Sequence, residues 1–75
     1  MKELLVVIAK NLVDDPDQVL VTETERDGVT VLKLTVAPDD MGKVIGKQGR
    51  IARAIRTVVK AAAVHEDVRV VVEIV

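Results

Sequence analysis

The sequence predicts an α+β fold in the order helix, strand, strand, helix, helix, strand, with the helices packed on one face of a three-stranded mixed sheet. Three observations predict it. Two Val-, Thr- and Leu-rich runs, Gln18 to Arg26 and Val29 to Ala37, are separated only by Asp27-Gly28. Asp and Gly both tolerate the positive φ angles of a two-residue turn, so the pair marks a β-hairpin. Further on, Ile51, Ala54, Ile55, Val58, Val59 and Ala62 recur at i, i+3, i+4, i+7, i+8 and i+11, the stripe of an amphipathic helix. The chain then closes on Val68, Val70, Val72 and Ile74 alternating with Arg69, Val71, Glu73 and Val75, the period of a strand. A helical crossover separates this strand from the hairpin, so it should lie parallel to the hairpin's second strand.

The remaining elements follow in chain order. Leu4, Leu5, Ile8 and Leu12 fall on one helical stripe, with Lys2, Glu3, Lys10 and Asn11 outside it. Pro16, after Asp14 and Asp15, stops that helix. Beyond the hairpin, Pro38-Asp39-Asp40 ends the second strand and offers an Asp N-cap to a short helix in which Met41, Val44 and Ile45 share a face. Gly46 closes it, and the long helix starts after Gly46-Lys47-Gln48-Gly49. His65-Glu66-Asp67 ends the long helix. No repeat, linker or low-complexity stretch interrupts residues 1–75, which are read as a single domain.

Composition narrows the function. Half the residues are apolar but none is Phe, Trp or Tyr, so the core is aliphatic and no ring is available to stack a base. With no Cys and no Ser, the nucleophile pairs of acyl-transfer enzymes cannot be assembled, and His65 is the only histidine. No catalytic or metal-ligating set and no cofactor are expected. The apolar run Leu4 to Ala9 is too short to insert into a membrane, and a cysteine-free chain suits the cytoplasm. The formal net charge is −1, yet the charges are segregated. Between Met41 and His65 the bases Lys43, Lys47, Arg50, Arg53, Arg56 and Lys60 meet no acid. All 12 acids lie outside that stretch, and a basic segment of this kind points to a polyanionic partner.

The chemistry concentrates in the same segment. Two glycines three apart let the backbone turn sharply and let another backbone approach without an intervening Cβ. The helix that follows opens with unpaired N–H groups and a positive dipole end, and Lys47 and Arg50 stand where a helix start ordinarily favours Asp or Glu. An anion would satisfy these groups. Gly42 to Lys47 is not a nucleotide-binding P-loop, because three residues rather than four separate its glycines and Gln48 follows the Lys in place of Ser or Thr. Asp14, Asp15 and Asp17 read as a solvated helix-ending loop, and Asp39 and Asp40 as caps.

Met41 to Arg56 resembles the signature of the KH domain: the branched pair Val44-Ile45, then Gly46-Lys47-Gln48-Gly49 as its GxxG, then Ile51. The element order is similar to the bacterial type II KH fold over the whole chain. The resemblance implies a clamp on about four nucleotides of single-stranded RNA or DNA. The phosphate backbone would cross Gly46 to Gly49, met by Lys43, Lys47, Gln48 and Arg50. Bases would enter a groove floored by Val44, Ile45, Ile51 and Ala54, with Arg69 and Val71 of the last strand reaching base edges. Arg53, Arg56 and Lys60, on the opposite face of the long helix, would add a long-range field. The resemblance further implies a post-transcriptional regulator or RNA chaperone, able to form a homodimer or a heterodimer with a second KH-containing protein. An assembly module using an open sheet edge is the competing reading.

Overall fold

A computed structural model describes residues 1–75. Its helices are α1 (Lys2–Leu12), α2 (Met41–Ile45) and α3 (Arg50–His65), and its strands β1 (Leu20–Arg26), β2 (Val29–Thr35) and β3 (Val70–Ile74). Short 3₁₀ turns at Pro16–Gln18, Pro38–Asp40 and Lys47–Gly49 sit at the junctions. The predicted element order is observed, and so is the sheet: β2 lies in the centre, antiparallel to β1 and parallel to β3. The hairpin turns at Asp27 (φ 54°) and Gly28 (φ 79°), the left-handed pair that a two-residue connection requires.

One core forms where the helices meet the sheet. Leu5 and Ala9 of α1, Val44 of α2, and Ile55, Val59 and Ala63 of α3 pack on Val21, Leu32, Leu34, Val36, Val70 and Val72. The alternation of β3 is explained at once, since Val70 and Val72 point into the helices while Val71 and Glu73 are exposed on the other side. The stripes read from sequence are wider than the core. In α3 the sheet takes Ile55, Val59 and Ala63, Ala52 is buried outside that cluster, and the flanking Ile51, Ala54 and Val58 are left half-buried or exposed. In α1 it takes Leu5 and Ala9 and leaves Leu4, Ile8 and Leu12 half-buried.

The expected role of Asp40 needs correction. It occupies the N-cap position of α2 but makes no capping hydrogen bond there. Its carboxylate instead accepts the backbone N–H groups of Asp14 (3.2 Å) and Asp15 (3.0 Å), tying the α1–β1 connection to the start of α2. The loop expected to be merely solvated is therefore anchored. Asp40 is 2% exposed, and every one of its oxygens has a donor.

Candidate nucleic-acid interface

The GxxG segment is built by backbone conformation. Gly46 (φ 75°), Gln48 (φ 57°) and Gly49 (φ 73°) all lie at positive φ, so the chain turns from α2 into α3 within four residues. Gly46 is required twice over, because a Cβ there would also meet Ile51 Cγ1 at 2.6 Å. Gly49 has open space around it and is required by its left-handed conformation alone. The Arg50 N–H at the start of α3 is taken by the Lys47 carbonyl, and no side chain caps the N–H groups that follow it or the positive dipole end beside the turn.

Two arginines of α3 brace the segment. Arg53 Nη2 donates to the Gln48 carbonyl at 2.9 Å, and Arg50 Nη2 reaches Gln48 Oε1 at 3.4 Å. Arg56 Nε donates to the Val72 carbonyl of β3 at 3.2 Å in a partly buried position. With 100° per residue, Arg53, Arg56 and Lys60 form one flank of α3, turned toward β3, while Ile51, Ala54 and Val58 form the other, turned toward α1. The bases expected to sit on a remote face thus run beside the β3 edge, starting at the GxxG turn. Sequence reading gave them only a long-range role. The one available signal was that Arg53 follows Gln48 by five residues, a single turn into the helix.

The other expected site residues are distributed as follows. Lys47, Gln48 and Arg50 project from the turn and are exposed, and Ile45, 37% exposed, borders it. Val44 is buried in the core. Ile51 packs on Gly46, and with Ala54 it lines a groove of about 450 Å³ shared with Leu4, Ile8 and Leu12 of α1, Val58 and Arg50. Arg69 and Val71 alternate with the buried Val70 and Val72, so they are not brought together with Ile51 and Ala54. They border a second depression with Lys60, Val64 and Val68 at the far end of α3.

Lys43 is held away from the other bases. Its Nζ bonds Asp14 Oδ2 at 2.6 Å and Asp40 Oδ1 at 3.3 Å. The hydrogen bond to Asp14, then that to Asp40, raise the Lys43 pKa above its ordinary value, against the opposing effect of burial. Burial by itself would raise the Asp40 carboxyl, but the Asp14 and Asp15 amides and Lys43 outweigh it and hold that group below the usual carboxylate range. Lys47, Arg50, Arg53, Arg56 and Lys60 have no acidic partner. No helix is long and apolar enough to cross a membrane.

Comparison with known proteins agrees with this geometry. The KH domain described as KhpA/KhpB matches residues 2–74. Over all 75 residues, and over the full length of each relative, the chain is 67% identical to the RNA-binding protein KhpA of Clostridium acetobutylicum and 63% identical to that of Clostridium perfringens. It is 61% identical, again over the full length of both, to the RNA-binding protein KhpA of Caldanaerobacter subterraneus. A helix, hairpin, GxxG turn, helix and parallel strand in one sheet, matched from end to end at these identities, place the chain in the KhpA/KhpB KH-domain family.

Proposed function

We propose that this single domain is a non-catalytic, cytoplasmic binder of single-stranded RNA that acts on transcripts as a regulator or chaperone. The observation that carries the reading is the set of five cations, Lys47, Arg50, Arg53, Arg56 and Lys60, that run from the GxxG turn along one flank of α3 and have no acid to neutralise them. The relatives' description as RNA-binding proteins supports it. The phosphate backbone crosses Gly46 to Gly49, where Lys47, Gln48 and Arg50 meet it, and the footprint is about four nucleotides. The bases then follow the Arg53, Arg56 and Lys60 flank toward β3, with Ile45 as the apolar contact near the turn. Lys43 serves this site from behind, through its pairing with Asp14 and Asp40, rather than as a phosphate ligand.

The test is a double substitution, Lys47→Asp with Gln48→Asp. Both side chains are exposed, so the circular-dichroism spectrum and melting temperature should be retained while gel-shift of a single-stranded RNA is lost. Unchanged retention would overturn the reading, and a parallel titration with the DNA of the same sequence determines whether the sugar matters.

A second reading is favoured by one feature, the apolar groove between α1 and α3. Leu4, Ile8, Leu12, Ile51, Ala54 and Val58 line one continuous aliphatic groove on the surface. It suits self-association, or pairing with another KH-containing protein, on the side of α3 that the cations leave free. The two activities would then occupy opposite flanks of one helix.

A further inference from the structure

We infer that Arg56 reads a base: its guanidinium selects a nucleobase that presents two adjacent acceptors, guanine through O6 and N7 or cytosine through N3 and O2, over adenine. The inference rests on the RNA-binding reading above and adds a specificity to it. Arg56 spends one donor, Nε, on the Val72 carbonyl, and its two Nη groups carry no hydrogen bond and no acid. That one bond tethers the guanidinium in a partly buried position and leaves the terminal fork free, the part of the side chain that engages two acceptors at once.

The location is suited to a base. The backbone of β3 faces β2 through Arg69, whose carbonyl accepts Thr30 N–H, and Val75, whose N–H reaches the Leu34 carbonyl. Residues of the other parity, Val70, Val72 and Ile74, therefore turn their peptide groups to the open edge of the sheet. Arg56 stands at the middle of that edge, roughly 10 Å along α3 from Gly49 at 1.5 Å per residue, inside a four-nucleotide footprint that starts at the turn. Its neighbours on the flank, Arg53 and Lys60, are also donors. Adenine sets a donor, N6–H, beside N7 and beside N1, so the fork makes one bond to it on either edge where guanine or cytosine takes two. Guanine and cytosine each present two neighbouring acceptors.

The experiment uses fluorescence anisotropy with three labelled RNA heptamers, adenine throughout except for a central guanine, cytosine or adenine. The full chain should bind the guanine or the cytosine heptamer at least about five-fold more tightly than the all-adenine one, and the two arms show which base is read. Arg56→Gln should remove that preference, the guanine or cytosine heptamer losing more affinity than the all-adenine one until they bind alike. Arg56→Lys keeps the charge but loses the planar fork and its Val72 tether, and should reduce the preference without abolishing binding. Equal wild-type affinity for the three heptamers would overturn the inference, as would an equal loss on all three in Arg56→Gln, which would make Arg56 a phosphate contact or an edge brace. If the wild-type chain bound none of them, nor a long single-stranded RNA, the RNA-binding reading itself would fall and the inference with it.

Discussion

At the scale of single residues, what could be read from the sequence divides by the range of the interaction. The two glycines of the GxxG segment and the Asp27-Gly28 turn were legible because positive φ is a local property, and the structure places all four residues there. Asp40 was not legible. Its partners Asp14 and Asp15 are 26 and 25 residues away, and from local sequence a carboxylate after Pro38 looks like an N-cap. The same pairing gives a test. The Asp40 carboxyl titrates below its ordinary value of 3.8 when folded, so it contributes stability that is complete above that value and is lost as pH falls through the lowered folded one. Lys43, raised above 10.5, contributes fully below that value and loses its contribution only as pH rises through the raised one. Urea midpoints should therefore be flat, as far as this cluster is concerned, from about pH 5 to 10. In the acid limb, Asp40→Asn should start from a lower midpoint and fall less steeply than the wild type. Parallel acid limbs would show that Asp40 is not the group being titrated.

At the scale of elements, α3 carries the organisation of the molecule. Its periodicity announced a helix with one apolar and one basic face, and the structure divides it into three sectors instead. The sheet can contact only one side of a cylinder about 10 Å wide, so Ile55, Val59 and Ala63 are taken into the core and the two flanks remain. Sequence periodicity gives the direction of the apolar stripe but not where the sheet stops covering it. The KH resemblance puts Val44, Ile45, Ile51 and Ala54 on one floor, whereas Ile51 and Ala54 line the groove toward α1 and Val44 lies in the core. The uncovered flank makes a prediction about assembly. Val58 is 48% exposed, so a charge there is tolerated by the fold, and Val58→Asp should melt within a few degrees of the wild type. Sedimentation velocity at tens of micromolar should show the wild-type chain as a dimer and Val58→Asp as a monomer with unchanged affinity for RNA. A wild-type monomer at that concentration would remove the self-association reading, and a dimeric Val58→Asp would move the interface elsewhere, the open edge of β3 being next.

At the scale of the whole molecule, a net charge of −1 is the sum of two surfaces with different tasks. The distribution was visible in the sequence as a basic stretch free of acids, but its sequence membership overstated its reach. Lys43 belongs to the stretch in sequence and to the acidic surface in space, because Asp14 and Asp40 neutralise it. Five cations remain along the GxxG turn and the β3-facing flank of α3. Salt dependence tests this division directly, since each phosphate neutralised on a single strand contributes roughly −0.7 to the slope of log K against log salt. Contact of Lys47 and Arg50 with about two phosphates gives a slope of about −1.4. If Lys47 meets a phosphate as proposed, Lys47→Ala should flatten that slope by about 0.7. Lys43→Met carries the same change in net charge, so a mechanism governed by total charge predicts the same flattening. The pairing geometry predicts otherwise: Lys43→Met should leave the slope unchanged, and its cost should appear as a lower urea midpoint, because Asp40 then keeps its two amide donors but loses its cation. Equal flattening in the two variants would mean that Lys43 leaves Asp14 when RNA binds, and it would return this residue to the phosphate-binding set.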